Sequence, residues 1–502
     1  MSSSLARSLT ANWIGQAVNV VVGLIVPAMV VRSLGAEQYG VWALAVSLAG
    51  HLSILDLGSR HAVVRYVAQY RSAGDSASIA KILSSNVALL AALSWIGIIV
   101  MGIVVIALPH LFTISPEALF STRVLLVVLA ADGACELMSG PFSSALGAVE
   151  RYDLLQTLNS ARLIVNGALV GLSVWLGWGL IGIAGALLVS RFLYRIALAV
   201  LLRRVLPEVF LARKHVESAM VRQILSFGVW SAMMVASYRL SYQFDLVVIG
   251  AVLGAVAVTK YALPLILIDQ LRAVCDSAGL VLFSRLSSVS NEEWAREGVP
   301  LLDRWARYAP LLPLTVGLHL AVFGGSFITL WVGQAIPESQ MIITFLVIPF
   351  FVTAPTTGYV MAILARSRPA VAALLQCGEG VLNIALSLVL VRSYGLLGVA
   401  LGTCIAAVFV QGIFTPLFAQ GIAEYKWSTF AKGAFVRSLP LLILYSGILL
   451  LSESFIGADT IGTFLLSNGI PFVGLLGVLY RLYLSPEDRA YILRRFERGA
   501  LS

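Results

Sequence analysis

Residues 83–108 read LSSNVALLAALSWIGIIVMGIVVIAL, a stretch of 26 residues without one charged side chain. An α-helix of about 20 apolar residues crosses the hydrocarbon core of a bilayer. The whole chain has this character, because 59% of its 502 residues are hydrophobic and only 12% are charged, whereas roughly 25% are charged in ordinary globular domains. A mean hydropathy of +0.93 cannot be buried in a water-soluble core. We therefore expect a multi-pass membrane protein, and the composition excludes a disordered chain, a disulfide scaffold and a nucleic-acid-binding domain.

Apolar windows of this length predict an all-α fold with about 14 transmembrane helices. The predicted spans are 10–32, 41–58, 83–108, 123–147, 157–177, 180–202, 224–250, 255–284, 308–332, 341–364, 370–391, 395–418, 437–452 and 462–484. The loops between them are short and carry no nucleotide-binding, zinc-protease or serine-hydrolase motif. We therefore expect no enzymatic activity, no cofactor and no metal site.

The positions of the basic residues predict the orientation. When the N-terminus is placed in the cytoplasm, the cytoplasmic segments hold 25 of the 34 Lys and Arg residues, and the outer loops hold four. Cytoplasmic loops of membrane proteins carry such an excess of positive charge. The prediction is a protein of the cell (inner) membrane with both termini in the cytoplasm. The net charge of +9 then faces anionic membrane lipids, so no nucleic-acid partner is expected.

Two similar segments indicate an internal repeat. Residues 179–186 read GLIGIAGA, and residues 395–402 read GLLGVALG. The offset between them spans six predicted helices, so the two copies have the same orientation in the membrane. This predicts two parallel-repeat six-helix bundles around a central cavity, followed by two C-terminal helices. The predicted domains are 1–205 (N-terminal bundle), 206–223 (cytoplasmic linker), 224–420 (C-terminal bundle) and 421–502 (helices 13 and 14 and a cytoplasmic tail).

The string RSLGAEQYGVWALAVSLAGHLSILDLGSRHAVVRYVAQY (32–70) resembles the N-terminal signature of Wzx-type polysaccharide-biosynthesis proteins. These are lipid-linked oligosaccharide flippases of the multidrug/oligosaccharidyl-lipid/polysaccharide exporter superfamily. Residues 145–162 and 226–254 are similar to later segments of that family. The resemblance implies alternating access around a central cavity. The implied substrate is an oligosaccharide on polyprenyl diphosphate, moved from the inner to the outer leaflet for O-antigen or exopolysaccharide export. A coupling ion (proton or sodium) and polysaccharide-assembly proteins are the further partners considered.

Other functions stay open at this point. A multidrug or cation antiporter of the same superfamily would use a smaller cavity with acids and aromatic side chains. Lipid II flippases have 14 spans, but they resemble D-A-F-x-V-A where this chain reads YGVWALA from Tyr39, and they tend to carry arginine in the first helix. A membrane glycan polymerase or ligase would need a long outer loop with catalytic residues, and the predicted outer loops are short.

Ionisable residues inside the predicted spans are the candidate substrate-binding groups. Each Asp, Lys or Arg at a helix centre costs roughly 2.5–3.5 kcal/mol on insertion scales, so these residues are expected to face one another or a wet cavity. Arg272 ranks first, since arginine forks bind diphosphate. Its alternative role is an internal network with the two acids that flank it. The predicted substrate-binding residues are Arg272, Arg239, Arg191, Asp269, Asp276, Asn12, Gln16 and Asn19.

A second set of mid-span residues could exchange protons with the solvent. The predicted proton-coupling residues are Asp132, Glu136, Glu379, His51 and His319. Structural pairing with arginine or histidine is the competing interpretation for the acids, and burial in the core is the competing interpretation for the histidines. Four residues nearer the span ends are instead expected to bridge or snorkel at the rim, namely Asp56, Arg162, Asp245 and Arg195.

Overall fold

The computed structural model describes residues 3–483 and 489, with side chains from Ile14 onward except that of Leu482. The side chain of Asn12 and most of the predicted cytoplasmic tail lie outside these residues. The described helices are α1 (Ser3–Gly50), α2 (Ser59–Ser72), α3 (Ser76–Leu111), α4 (Pro116–Ala148), α5 (Tyr152–Trp175), α6 (Gly179–Val205), α7 (Ser218–Tyr242), α8 (Asp245–Leu253), α9 (Ala255–Ser287), α10 (Val299–Tyr308), α11 (Leu318–Val332), α12 (Ser339–Val347), α13 (Phe350–Ala365), α14 (Pro369–Phe409), α15 (Thr415–Ala423), α16 (Trp427–Ala431), α17 (Leu439–Ile456) and α18 (Ile461–Val478).

Ten helical segments of the described chain are long and apolar enough to cross a membrane, which confirms the predicted all-α multi-pass fold. Two of them, Ile14–Asp56 and Pro369–Ala423, are 43 and 55 residues long, about twice the length that a bilayer requires. Each is interrupted by a glycine outside the helical region, Gly35 with a φ of 84° and Gly395 with a φ of 58°. The count of 14 spans and the orientation stay predictions.

The two predicted halves of the chain pack against each other along α1 and α9. Helix α7 packs against α14 and also reaches α2 and α3 in the first half. One apolar core cluster contains buried residues from both halves, among them Val30, Leu125, Ile268, Ile343 and Val399. Lipid tails are as apolar as these side chains, so within the bilayer the helices are held together by close van der Waals packing and by hydrogen bonds between helices. Helices α1, α7 and α9 therefore make contacts between the two predicted halves, and the division into two bundles stays a prediction.

The predicted linker 206–223 lies against the first turns of α3. The ammonium of Lys81 pairs with Glu217 at 2.8 Å, and the Ser76 hydroxyl donates to Glu208 at 2.7 Å. Helix α7 begins at Ser218, inside the predicted linker. The last residues of this segment are therefore helical, and its start is tied to α3 by polar contacts.

Helix α2 follows a turn of the chain at Leu57 and Gly58, whose φ angles are 50° and 71°. Its residues Ala62, Val63 and Val67 are fully buried, and it packs among α3, α4 and α7. This turn of the chain places the first turn of α2, which contains Arg60 and His61, next to the interior of the protein.

Candidate functional site

Two adjoining cavities lie in the interior. The first has a volume of about 810 Å³ and is lined by residues of α1, α2, α4, α5, α6, α7, α8 and α9. The second has a volume of about 590 Å³ and is lined by residues of α2, α7, α9, α12, α13 and α14. Both are bordered by His61, Val235 and Arg239. The cavities therefore meet at α2 and α7, between the two predicted halves.

The two ends of the first cavity differ in chemistry. We define the aromatic end by Tyr39 and Trp42 and the charged end by Asp56, Arg60 and His61. Of the 14 positions from Trp42 to Asp56, eight lie in α1 at about 1.5 Å each and six in a 3₁₀ segment, His51–Asp56, at about 2.0 Å each, which gives roughly 24 Å along the chain. The ionisable residues that line this cavity are Asp56, Arg60, His61, Asp132, Glu136, Arg162, Arg191, Arg239 and Asp269.

A network of ion pairs covers one wall of the first cavity. Asp132 is only 2% exposed; it accepts a hydrogen bond from Arg191 and another from Arg195 at 2.7 Å. Glu136 pairs with Arg60 at 3.2 Å and lies 3.8 Å from Arg195. Both acids thus have arginine partners, as the structural interpretation expects, and their predicted role in proton coupling stays a prediction.

Two arginines of the same cavity have neutral partners. Arg162 donates to Asn159 Oδ1 at 2.7 Å, and its guanidinium carbon lies 5.7 Å from the centre of the Tyr194 ring. Arg239 donates to Ser53 Oγ at 3.1 Å and to Gln243 Oε1.

Among the described residues, neither of these two guanidinium groups forms an ion pair with a carboxylate. Arg162 and Arg239 therefore carry positive charge that the surrounding protein does not pair. Arg162 lines the first cavity, and its expected position at the rim of the membrane stays a prediction.

Arg272 lines the second cavity and is 8% exposed. It donates to Asp269 at 2.6 Å, and its guanidinium carbon lies 3.9 Å from the centre of the Tyr242 ring. Asp269 lines the first cavity and Asp276 lines the second. The two acids that flank Arg272 along α9 are thus divided between the cavities, and the ion pair of Arg272 is with Asp269.

Other predicted residues do not line these two cavities. Glu379 is buried and accepts hydrogen bonds from Tyr242 at 3.1 Å and Gln411 at 2.7 Å. His51 binds the Ser47 carbonyl at 2.7 Å. The described residues that line the two cavities do not include Glu379, His51, His319, Gln16 or Asn19.

His319 belongs to a different region of the protein. Its Nδ1 lies 2.5 Å from the Thr315 carbonyl oxygen, and its Nε2 lies 3.1 Å from the hydroxyl of Tyr445 on α17. Gln16 is half-buried and Asn19 is exposed on α1. The side chain of Asn12 lies outside the described residues.

Asp245 was expected at the rim and is instead buried in the core. It is 3% exposed and accepts hydrogen bonds from Thr403 at 2.8 Å, Tyr261 at 3.0 Å and Asn383 at 3.4 Å. These contacts join α8, α9 and α14. Asp245 thus accepts hydrogen bonds from three neutral donors. These bonds satisfy the buried carboxylate, which has no ion pair among these contacts.

Sequence reasoning missed several residues of the cavity walls. Arg60 was counted among the cytoplasmic charges, and His61 was not singled out. Both line the first cavity because the backbone turns at Leu57 and Gly58. Trp42, Tyr194 and Gln270 also line the first cavity. No local pattern in the sequence identifies these three as cavity residues.

Comparisons with known proteins agree with this architecture. A family model described as polysaccharide biosynthesis protein matches residues 5–270, just over half of the chain. The chain is 23% identical over 426 residues to a putative O-antigen transporter of Shigella flexneri, covering 84% of this chain and 100% of that protein. It is 22% identical over 529 residues to the uncharacterized membrane protein EpsK of Bacillus subtilis (strain 168), covering 98% of each.

Two solved structures share the fold. The lipid II flippase MurJ in an inward closed conformation has a TM-score of 0.68 at 15% identity, covering 94% of this chain and 98% of that one. An inward-facing multidrug resistance transporter of the MATE family and the MOP superfamily has a TM-score of 0.64 at 17% identity, covering 81% and 96%. At these identities the likeness establishes the fold alone.

Proposed function

Because the chain belongs to the polysaccharide biosynthesis protein family, we propose that it is a flippase for a polyprenyl-diphosphate-linked oligosaccharide. It would move this lipid from the inner to the outer leaflet by alternating access, for the assembly of a surface polysaccharide. The proposal rests on one observation above all. The first cavity contains two arginines, Arg162 and Arg239, that have neutral partners and no ion-paired carboxylate among the described residues.

The chemistry of a diphosphate supports this assignment. Its oxygens accept hydrogen bonds only, and a guanidinium offers a planar fork of donors that matches them. In the low dielectric of a membrane protein an unpaired anion would be very costly, so the cavity must supply positive charge. Arg191 and Arg272 are already paired with Asp132 and Asp269. We therefore rank Arg162 and Arg239 above them as diphosphate contacts.

The size and polarity of the cavities support a substrate with a large head group. Small-molecule sites occupy roughly 300–1,000 Å³, and here a cavity of about 810 Å³ adjoins another of about 590 Å³. Asp269 and Asp276 are proposed to accept hydrogen bonds from sugar hydroxyls, and Arg191 and Arg272 to donate to them. Gln16 and Asn19 are not proposed as contacts, because they are not among the lining residues of either cavity.

For energy coupling, Asp132 and Glu136 are the proposed proton carriers. Both line the first cavity, where a change in access would alter their contact with water. Support is weaker for Glu379, His51 and His319, which are not among the described residues that line the two cavities. Glu379 lies directly behind the wall of the second cavity, because its partners Tyr242 and Gln411 line that cavity.

The proposal can be tested in cells that lack this protein. Polyprenyl-linked oligosaccharides would be extracted after treatment of intact spheroplasts with a membrane-impermeant periodate, which modifies only sugars on the outer face. We expect complete oligosaccharides to accumulate in the protected, inner pool and to move to the oxidised pool when the wild-type chain is restored. Normal outer-leaflet oligosaccharide without the protein would contradict the proposal, and drug efflux would then be measured in the same cells.

A further inference from the structure

A stack of aromatic and cationic side chains forms part of the wall of the second cavity. Tyr238 lines this cavity and is 41% exposed, and its ring centroid lies 5.2 Å from that of Tyr242. The guanidinium carbon of Arg272 lies 3.9 Å from the centre of the Tyr242 ring. Tyr242 thus lies between Arg272 and Tyr238, and the ring of Tyr238 is the more exposed of the two rings.

An exposed ring of this kind suits a sugar better than an anion. The faces of an aromatic ring carry partial negative charge, so they attract the weakly positive C–H groups of a pyranose and repel a phosphate. Met234, Val235 and Met361 line the same cavity. Apolar surface with a small number of polar groups is the usual composition of a ligand site.

Asp276 supplies such a polar group next to the stack. It follows Arg272 by four positions on α9, which is about one helical turn along the same face, and it lines the second cavity as an exposed residue. Arg272 forms its ion pair with Asp269, and Asp276 forms no ion pair with a described residue. Its carboxylate can therefore accept strong hydrogen bonds from the hydroxyls of a sugar.

The charges around Asp276 disfavour a ligand with a carboxylate of its own. Asp269, Arg272 and Asp276 together carry one negative charge. Arg239 and His61, which also line the second cavity, lie at its border with the first. A carboxylated sugar beside Asp276 would bring two like charges together in a medium of low dielectric, which is costly. A sugar with only hydroxyl or acetamido groups meets no such repulsion.

The position of Arg239 relates the two cavities to the two parts of the substrate. Arg239 lines both cavities, and the other proposed diphosphate contact, Arg162, lines the first. A diphosphate bound by these two arginines would hold its first sugar at the border of the second cavity. The volume of that cavity, about 590 Å³, lies within the range of roughly 300–1,000 Å³ of small-molecule sites.

We propose that the second cavity binds the glycan of the substrate and selects sugars without a carboxylate. The ring of Tyr238 stacks on a pyranose, and the carboxylate of Asp276 accepts hydrogen bonds from its hydroxyls. This inference rests on the proposed flippase function. It adds the substrate class, which is a neutral lipid-linked oligosaccharide and not one that contains uronic or sialic acid.

The test measures binding of three synthetic lipids to the purified full-length protein by calorimetry. The first is undecaprenyl diphosphate without a sugar, and the second carries N-acetylglucosamine linked to glucose. The third carries glucuronate in place of glucose, so that it differs from the second only at C6 of the last sugar. The wild type is compared with Asp276→Asn and Tyr238→Leu. Asp459→Asn is the matched control, because Asp459 is exposed between α17 and α18 and is not among the lining residues of either cavity.

The wild type is expected to bind the glucose lipid roughly tenfold more tightly than the glucuronate lipid, because of like-charge repulsion by Asp276. Asp276→Asn should remove most of this difference, and Asp459→Asn should keep it. Tyr238→Leu should weaken binding of the glucose lipid roughly threefold to tenfold. Its affinity for undecaprenyl diphosphate should equal that of the wild type, which also shows that the variant is folded.

Equal affinity of the wild type for the two glycolipids, or a preference for glucuronate, would overturn the inference. The same holds if Asp276→Asn keeps the full difference, or if Tyr238→Leu binds the glucose lipid as tightly as the wild type does. These outcomes leave the proposed function intact as long as the wild type binds undecaprenyl diphosphate. If the wild type binds none of the three lipids, the proposed function itself fails.

Discussion

Arg239 donates a hydrogen bond of 3.1 Å to the hydroxyl of Ser53, and this contact links the two predicted halves of the chain at the wall shared by both cavities. The partner is neutral, so the guanidinium keeps its charge available for a ligand. Its position between the cavities makes Arg239 the most informative residue for a first mutation.

Arg239→Gln is expected to slow flipping at least tenfold. Hydrogen bonds to a charged group contribute about 1.5–3 kcal/mol, and about 1.4 kcal/mol corresponds to a factor of ten. Arg239→Lys should retain part of the activity, since it keeps the charge but loses the planar fork. The readout is the ratio of protected to oxidised lipid-linked oligosaccharide. Arg203→Gln, at an exposed position near the end of α6, is the control; equal defects in both variants would contradict a specific diphosphate contact.

A variant of Asp132 can distinguish a structural role of this residue from a role in proton coupling. Removing one partner of a buried ion pair typically costs about 3–5 kcal/mol, because the other charge is left unpaired. Asp132 accepts from both Arg191 and Arg195, so Asp132→Ala should lower the thermal stability of the detergent-solubilised protein strongly. The contrary result is informative: a normal melting temperature combined with transport that no longer depends on the proton gradient would support proton coupling by Asp132.

Arg272→Ala is expected to abolish transport while expression and membrane insertion stay normal. Arg272 is buried beside the second cavity, and its partner Asp269 is half-exposed, so loss of the pair leaves a carboxylate that water can reach. The double variant Arg272→Ala with Asp269→Asn identifies the cause. If it restores transport, Arg272 serves only to pair Asp269; if transport stays absent, a direct contact with the substrate is supported. Wild-type transport in Arg272→Ala alone would assign Arg272 a structural role.

Gly58→Ala is expected to reduce the amount of folded protein sharply. The φ angle of Gly58 is 71°, and a Cβ there would be 2.3 Å from the carbonyl oxygen of Gly228 on α7. Gly74 has the same φ of 71° with nothing within 4 Å of an added Cβ. Gly74→Ala therefore reports the backbone strain alone, of order 1 kcal/mol. Similar thermal stability of the two variants would mean that α2 and α7 separate easily at this contact.

The apolar windows determined the membrane fold from the sequence alone, because a bilayer offers backbone groups no partners and forces each crossing segment to form a helix. Local spacing also placed Asp269, Arg272 and Asp276 near one another along α9, since helical periodicity needs only neighbouring residues. The resemblance of residues 32–70 to a family of flippases needed no structure either, and the family match bears it out.

Only the tertiary structure decided which charges are neutralised. The partners of Asp132 lie 59 and 63 positions away on α6, and no sequence period connects residues on different helices. The partners of Arg162 and Arg272 are, by contrast, three positions away on the same helix, Asn159 and Asp269. For these two arginines the tertiary structure decided which cavity each one lines. Spacing along one helix fixes the face on which a side chain lies, but its electrostatic role depends on long-range contacts that form when the helices pack together.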